Sequence, residues 1–253
     1  MKISVITAVH NARNTIQDAI DSVGAQQGCA IEHIVVDGMS SDGTEPVVRS
    51  NESRISKWIR EPDEGCYDAM NKGIRAATGD VVGFLHADDV LADPKALNRI
   101  GDKFLSGDWD AVYGDLVYVH ANDTSRVVRY WKGGDYERSK FQRGWMPPHP
   151  TVYVRKTVYE KLGSYLSSFG SAADYECMVR LMVKNNIKVG YVPEILVKMR
   201  LGGKSNATLR NRLAANRSDR QAWIENGMKP PLGLRFSKPL SKLPQYWQRP
   251  VRQ

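Results

Sequence analysis

The stretch "VVGFLHADD", residues 81 to 89, is a short apolar run that ends in two adjacent carboxylates. Val81 to Leu85 is apolar on both faces, as expected for a central strand of a parallel sheet. Asp88 and Asp89 follow at its C-terminal end, where two like charges repel each other unless a positive group is near. Because a divalent cation bound by carboxylate oxygens would remove that repulsion, the stretch predicts a metal site at the tip of a buried strand.

Two other predicted strands also end in polar residues. The strand at 3–9 is followed by "HN", and the strand at 31–36 is followed by Asp37. Ligands of open α/β sheets bind in the crevice beyond the C-terminal ends of the strands, so these positions favour a binding site. In the simpler alternative, Asp89 caps a following helix and Asp88 is merely solvated.

Strands and helices alternate along the first part of the chain. Ile16, Ala19, Ile20 and Val23 fall on one face of a helix, for which Asn14 is the predicted N-cap. This alternation predicts an α/β fold, with a Rossmann-type, mostly parallel central sheet flanked by helices. Further elements are predicted as strands at 55–59, 81–85, 111–119, within 144–156 and at 187–192, the last closed by Pro193, and as helices around 70–77 and from Asp174.

Length and composition indicate an ordinary globular chain. Its 253 residues are 42% hydrophobic and 25% charged, which suits one large domain. No apolar run approaches the ~20 residues of a membrane-spanning helix, and the N-terminal "MKISVITAVHN" turns polar too early for a signal peptide. The three cysteines are widely spaced without a CxxC pair, which indicates a reducing compartment, so we expect a cytoplasmic protein.

Positive charge is concentrated at the C-terminal end. The net charge is +8, but residues 198–253 contain 13 Lys and Arg against two acids, so the rest is slightly acidic. We expect residues 205–253 to form a helical, basic extension of a domain at 1–204. Its arginines, with Tyr246 and Trp247, predict contact with an anionic membrane surface, where each basic residue contributes about 1 kcal/mol. Nucleic acid is a less favoured partner because the sequence has no recognisable nucleic-acid-binding motif. In the remaining alternative, the extension is a helix packed back on the domain.

Two common nucleotide-binding motifs are missing. No two glycines are spaced i, i+2, which excludes GxGxxG, and "GMSSDGT" has Thr44 where a P-loop needs lysine. A chain without a phosphate-binding loop can neutralise a diphosphate with a divalent metal held on carboxylates, in agreement with the acid pair.

Four stretches resemble the family 2 glycosyltransferases with the GT-A fold. They are "ISVITAVHNA" (3–12), "VVDGMSSDGT" (35–44), "DEGCYDAMNKGIRAATGDVVGFLHADD" (63–89) and "SAADYECMVRL" (171–181). The resemblance covers roughly residues 1–200. It implies an inverting enzyme that moves a sugar from a nucleotide-diphosphate sugar, with UDP favoured, to a hydroxyl of a glycan or lipid-linked acceptor. We expect a nucleotide-sugar half at about 1–110 and an acceptor half at about 111–204.

The resemblance also implies roles for individual residues. Asp88, with Asp89 beside it, would bind Mn²⁺ or Mg²⁺, Asp37 would contact the nucleotide base, and Asp174 would be the base that deprotonates the acceptor. The nucleotide and sugar pocket would be completed by residues of the third stretch, namely Asp63, Glu64, Tyr67, Asp68, Lys72, His86 and Ala87. The acceptor or the leaving diphosphate would be contacted by His149, Arg200 and Lys204.

Two positions depart from the family pattern. The family commonly has an acid two residues before the metal ligand, where this chain has His86, and often a glutamate before the base, where it has Ala173. Simpler alternatives also stay open, in which Asp68 and Lys72 form only a helix-surface ion pair and Asp174 is only a helix cap.

Two other function classes fit parts of the pattern. A sugar-nucleotidyltransferase uses a related sheet and metal-bound carboxylates, but a glycine-rich N-terminal loop would favour it, and "TAVHNARN" has no glycine. A non-catalytic nucleotide-sugar-binding protein would gain nothing from an acid at Asp174.

Overall fold

The computed structural model describes residues 1–202, 218–231, 233 and 245, and over these residues the chain forms one nine-stranded sheet with helices packed on it. The strands are β1 (Lys2–Val9), β2 (Ala30–Asp37), β3 (Lys57–Arg60), β4 (Val81–Phe84), β5 (Val90–Leu91), β6 (Ala111–His120), β7 (Asp123–Trp131), β8 (Tyr153–Arg155) and β9 (Val189–Arg200). The helices are α1 (Ile16–Gly24), α2 (Thr44–Ser50), α3 (Cys66–Ala76), α4 (Ala96–Leu105), α5 (Lys156–Leu162) and α6 (Ala173–Met178).

The sheet has a parallel part and a mixed part. Its strand order is β3-β2-β1-β4-β8-β6-β9-β5, with β7 also paired to β6. The four strands from β3 to β4 are parallel to one another, whereas β8 is antiparallel to both β4 and β6. Gly83 allows this junction, because a Cβ atom there would lie 2.1 Å from the ring of Tyr153 on β8. The predicted α/β class is confirmed, and two of the parallel strands, β2 and β4, lead to Asp37 and Asp88 at their C-terminal ends.

Helices pack on both faces of the sheet. β1 contributes Ile6 to the hydrophobic cluster that includes α3 and α6, and Val5 to the cluster that includes α1 and α4. The apolar face predicted for α1 is buried. The predicted N-cap at Asn14 is wrong: α1 begins at Ile16 after Thr15, and no side chain caps it.

The last strand runs through a proline that was expected to end it. β9 continues to Arg200 because its pairing with β6 shifts register around Pro193, where the ladder pairs Tyr113 with Tyr191 and then Asp115 with Ile195. Pro193 therefore lies in a bulge, where its missing N–H removes no ladder hydrogen bond. Strand β7 was also missed, because most of its residues are exposed and show no apolar alternation.

Part of the predicted C-terminal extension packs against the domain. Residues 218–225 are helical, and Ala222 and Trp223 belong to the same hydrophobic cluster as α3 and α6. Lys204, most of the basic extension, Tyr246 and Trp247 lie outside the described residues. In the part of the chain that the structure describes, none of the helices is long and apolar enough to cross a bilayer.

Candidate active site

The acid pair lies at the edge of the sheet where three parallel strands end. β1 pairs in parallel with both β2 and β4, so the C-terminal ends of these strands lie together. After β4 the chain turns, and the N–H of Asp89 donates to the carbonyl of His86 at 3.0 Å. Asp88 is half-buried at this turn, whereas Asp89 is fully buried. Asp88 is thus the accessible carboxylate of the pair.

His86 lies within electrostatic reach of two carboxylates that are far apart in the sequence. Burial lowers the pKa of the His86 ring, while the charges of Asp88 and Asp174 oppose that shift. Cys66 is open to solvent but surrounded by protein on most sides. That environment, with the charges of Asp63, Asp88 and Asp174, raises the pKa of its thiol to about 11. These residues therefore lie in one region beyond the strand ends, which we call the crevice, and Asp88 and Asp174 are both within electrostatic reach of His86 and Cys66 there.

Asp174 is held at the start of α6. It is half-buried, and its Oδ1 accepts the backbone N–H of Tyr175 at 2.7 Å. Burial and the charge of Asp174 raise the pKa of the Tyr67 hydroxyl on α3, so the predicted pocket residue and the predicted base are close to each other. Ala173, at the position where the family often has glutamate, is fully buried and supplies no carboxylate.

His149 lies behind the crevice. It is buried, its ring centroid is 6.2 Å from that of His86, and its Nε2 shares a 2.8 Å hydrogen bond with the hydroxyl of Tyr165. Burial, together with the nearby His86, lowers the pKa of His149 to about 3, so its ring is neutral. Tyr165 is itself fixed by Asn71, whose side chain bonds both its backbone N–H and its carbonyl. His149 therefore supports the wall of the crevice in neutral form.

A second acidic position lies at the end of β2. Asp37 is fully buried, with Oδ1 accepting the N–H of Ser40 at 2.9 Å and Oδ2 lying 3.3 Å from Nε of Arg60. The Asp63 carboxylate lies against Gly38, where a Cβ atom would be 2.0 Å from its Oδ2. The predicted base-binding residue and the first pocket residue are thus adjacent.

The sequence profile of glycosyl transferase family 2 matches residues 4–163, which includes the parallel strands and the acid pair. The chain belongs to this family.

Relatives of this chain are named as glycosyltransferases. An uncharacterized glycosyltransferase of Mycobacterium tuberculosis is 34% identical over 183 residues, covering 70% of this chain and 68% of that protein. A PGL/p-HBAD biosynthesis glycosyltransferase of Mycobacterium bovis is 28% identical over 211 residues, covering 80% of this chain and 78% of that protein. This chain is therefore a glycosyltransferase, and the enzyme class predicted from the sequence is confirmed.

Solved structures show the same fold. TarS 1–349 of S. aureus, in complex with UDP-GlcNAc, superposes with a TM-score of 0.70 at 17% identity. That match covers 89% of this chain and 66% of TarS 1–349, so this glycosyltransferase spans about two thirds of it. A mannosyltransferase of Pyrobaculum calidifontis, in complex with GDP-Man and Mn2+, gives a TM-score of 0.65 at 18% identity and covers 97% of this chain and 72% of that one. The predicted GT-A fold is confirmed.

On helix α3 of the glycosyltransferase, Asp68 and Lys72 form the ion pair that their spacing allowed. The Lys72 Nζ lies 3.3 Å from Asp68 and 3.1 Å from Glu61, and it also donates to the carbonyl of Pro62. Lys72 therefore fastens the loop before α3 to the helix. Ala87 has its methyl group in the hydrophobic cluster of α1 and α2, which leaves its backbone as the part that could meet a ligand.

Arg200 is positioned behind the acid pair. Its backbone N–H donates to Oδ1 of Asp89 at 3.0 Å, and its guanidinium donates to the carbonyls of Asp88 at 2.9 Å and Ala121 at 3.1 Å. The guanidinium also pairs with Asp18 on α1. Arg200 was expected to contact the acceptor or the leaving diphosphate, and in this structure it connects the turn that carries Asp88 to Ala121 and to Asp18 on α1.

Arg60 is a site residue that sequence reasoning missed. It pairs with Asp37 and, at 3.0 Å, with Glu45 on α2. It directly follows the strand predicted at 55–59 and is the last residue of β3, so the rule that identified Asp37 and Asp88 by their place at strand ends would have found it had the rule been applied to this strand.

Proposed function

We propose that this glycosyltransferase moves a sugar from a nucleotide-diphosphate sugar to an acceptor hydroxyl, with inversion at the anomeric carbon. The observation that carries the proposal is the common crevice of Asp88 and Asp174, with His86 in electrostatic reach of both. Asp88 follows the C-terminal end of a parallel strand, where nucleotides bind in open α/β sheets, and Asp174 lies in the second half of the chain. A single displacement needs a base that deprotonates the acceptor and a group that stabilises the leaving diphosphate, and the two carboxylates would supply these roles.

Asp37 and Asp63 support binding of a nucleotide base at the end of β2. A carboxylate can accept the imide N–H of uracil, and Arg60 keeps Asp37 in place for that contact. TarS was solved with UDP-GlcNAc and the mannosyltransferase with GDP-Man. We favour UDP as the carrier in this enzyme, with GDP and dTDP as the alternatives that a donor panel would separate.

A divalent cation fits the residues at the acid pair. Asp88 offers accessible carboxylate oxygens, and behind it Oδ2 of Asp89 is buried with no hydrogen-bond partner. Burial and the charge of Asp88 raise the pKa of Asp89 well above its usual range, so a cation here would stabilise the ionised pair. No group of three or more His, Cys, Asp and Glu side chains able to hold a metal occurs among the described residues. Mg²⁺ or Mn²⁺ bound by one or two carboxylates plus diphosphate oxygens and water suits such a site.

The chemical step depends on Asp174. Its Oδ1 is fixed by the N–H of Tyr175, and the carboxylate stands at the crevice in position to take the proton of an acceptor hydroxyl. The hydroxyl oxygen then attacks the anomeric carbon from the side opposite the diphosphate, which leaves with the bonding electrons. A metal at Asp88, when bound, supplies Lewis-acid stabilisation of the leaving diphosphate.

The acceptor that we propose is a hydroxyl of a glycan or of a lipid-linked glycan at a membrane surface. The Mycobacterium bovis relative is named as a PGL/p-HBAD biosynthesis glycosyltransferase, which supports a role in biosynthesis. The excess of basic residues in 198–253 supports approach to an anionic surface. Liposome sedimentation tests this: binding should require anionic lipid and fall with salt. If the full chain stays in the supernatant with anionic vesicles at low salt, the membrane proposal is wrong.

The function is tested with a panel of nucleotide sugars. We expect thermal stabilisation by one carrier in the presence of Mn²⁺, release of nucleoside diphosphate, and NMR of the product to show the anomeric configuration opposite to that of the donor. Retention of configuration would overturn the single displacement. Release of pyrophosphate from a nucleoside triphosphate and a sugar 1-phosphate, with formation of a nucleotide sugar, would indicate a nucleotidyltransferase. Donor binding without turnover on any acceptor or water would favour a non-catalytic binding protein.

A further inference from the structure

Residues 218–226 bury one face against the domain, although they lie beyond the span 4–163 that matches the family profile. Four of their side chains are buried, and these alternate with exposed positions such as Gln221 and Ile224. This pattern is that of an amphipathic helix docked on a core. The buried residues are Asp219, Ala222, Trp223 and Asn226.

Trp223 contacts the residue next to the proposed base. Its indole Nε1–H donates to the hydroxyl of Tyr175 at 3.0 Å, and both side chains are almost completely buried. The backbone N–H of Tyr175 donates in turn to Oδ1 of Asp174. One residue therefore links the C-terminal helix to the carboxylate.

Asn226 contacts the next residue of α6. Its Nδ2 donates to Oε1 of Glu176 at 3.0 Å, and Arg180 donates to the two oxygens of the same carboxylate at 2.9 and 3.1 Å. Arg180 also donates to the carbonyls of Leu162, Gly163 and Ser164. Glu176 is fully buried, and a buried charge needs such partners to be tolerated.

Helix α6 has little support of its own. It is only six residues long and is followed by a π-helical turn at Val179–Lys184. Short helices are marginal without tertiary packing, because few intrahelical hydrogen bonds offset the cost of ordering the backbone. The contacts of residues 218–226 therefore help to fix the position of the start of α6.

We propose that Trp223 and Asn226 are positioning residues for Asp174. They fix α6 through Tyr175 and Glu176, so that the Asp174 carboxylate is held at hydrogen-bond distance from the acceptor hydroxyl that it deprotonates. The proposal rests on the function proposed above, in which Asp174 is the base. It gives the C-terminal helix a part in turnover that the family-matched residues do not include.

The test uses full-length enzyme and three variants of the C-terminal helix. Trp223→Phe keeps the aromatic packing but removes the indole donor, and Asn226→Asp keeps the shape but places a second carboxylate against Glu176. Gln221→Ala, on the exposed face of the same helix, is the matched control. Donor affinity, kcat and thermal unfolding are measured for each, at a temperature at which every variant is folded.

We expect Trp223→Phe to lower kcat by about tenfold, less than the ~100-fold that a displacement of 1 Å can cost, with donor affinity within about twofold of wild type. Asn226→Asp should lower kcat further, and Gln221→Ala should leave kcat unchanged. In an Asp174→Asn background, Trp223→Phe should have no additional effect on kcat, because the carboxylate that it positions is gone.

The outcomes separate the two proposals. If Asp174→Asn itself leaves kcat unchanged, the proposed function is wrong. If Asp174→Asn lowers kcat but Trp223→Phe and Asn226→Asp reduce only the unfolding temperature, the helix is merely structural and the positioning proposal is wrong. An equal additional loss of kcat from Trp223→Phe in the Asp174→Asn background would also overturn it.

Discussion

The carboxylate of Asp89 accepts the backbone N–H of Arg200 at 3.0 Å, and the Arg200 guanidinium donates to the carbonyl of Asp88 at 2.9 Å. The end of β9 thereby holds the turn at the end of β4 from behind. The side chain of Asp88 is left partly exposed at the crevice, while that of Asp89 is fully buried. Two adjacent aspartates thus have different environments and, we infer, different contributions to metal binding.

Replacement of Arg200 should weaken donor binding. Arg200→Ala removes the guanidinium contacts to the Asp88 and Ala121 carbonyls and to Asp18, so the turn is less well fixed. We expect the Kd for donor with Mn²⁺, measured by titration calorimetry, to rise by about tenfold or more, and the free energy of unfolding to fall by roughly 1–3 kcal/mol.

Arg99→Ala is the matched control for this prediction. Arg99 on α4 pairs with Asp93 and with Glu194 on β9 rather than with the turn that carries Asp88, so its loss should cost similar stability without changing donor affinity. Equal changes of donor affinity in Arg99→Ala and Arg200→Ala would mean that Arg200 acts only through general stability.

The two aspartates should respond differently to amide substitution. Asp88→Asn should abolish metal-dependent donor binding and leave the free energy of unfolding within about 0.5 kcal/mol, because Asp88 is partly exposed and its carbonyl, not its carboxylate, carries the contact with Arg200. Asp89→Asn keeps the acceptor for the Arg200 N–H and should weaken metal affinity by only a few fold. The measurements are Mn²⁺ titration and denaturant unfolding; a larger loss of metal affinity in Asp89→Asn would reverse the assignment.

The residues placed by strand ends were predictable from the sequence. Asp37 and Asp88 directly follow apolar runs, and parallel strands bring such residues to one edge of the sheet whatever the connecting helices do. Asp174 could not be placed at that edge by the same rule, because it starts a helix in the second half of the chain. The resemblance to the family, not the spacing, supplied its role.

Other features depend on contacts that a sequence pattern does not contain. Arg200 reads as part of a polar loop, and only the pairing of β9 with β5 and β6 brings it behind the acid pair. Pro193 predicts a strand end, but it lies in a bulge of β9, where its missing N–H removes no ladder hydrogen bond. The burial of Trp223 follows from packing on α6, whereas the basic composition around it indicated an extension that contacts an anionic membrane surface.

Removal of the proposed base should separate binding from chemistry. Asp174→Asn keeps an oxygen for the Tyr175 N–H, so the local structure and the donor Kd should be unchanged. The loss of a positioned general base should lower kcat by about 10²–10⁴. The control is Glu160→Gln, at an exposed position of α5, which should retain wild-type turnover. A donor Kd that rises in step with the loss of kcat would reassign Asp174 to donor binding.

Acid should destabilise the fold through a histidine in the sheet. His33 on β2 is buried, with Nε2 3.0 Å from the hydroxyl oxygen of Thr7 and no partner at Nδ1. Burial, and secondarily the charge of Arg54, lower the pKa of His33 to about 4. The unfolded chain, in which histidine has a pKa of about 6.5, therefore binds a proton that the folded chain does not between these two values. Stability is fully present above about pH 6.5 and is lost as the pH falls, by roughly 3 kcal/mol when pH 4 is reached.

Replacement of His33 by an uncharged residue tests this assignment. His33→Gln should flatten the fall in unfolding free energy, measured by urea denaturation between about pH 7 and pH 5, by up to ~1.4 kcal/mol per pH unit relative to wild type. Glu32 does not interfere: burial alone would raise its pKa, but hydrogen bonds from Ser4, Thr78 and Lys2 lower it to about 2, so its contribution is lost only at more acidic pH. The exposed His120→Gln variant should keep the wild-type slope. His149, whose pKa is also lowered, contributes over the same pH range in both proteins. Parallel curves for His33→Gln and wild type would therefore show that protonation of His33 does not contribute to the loss of stability in acid.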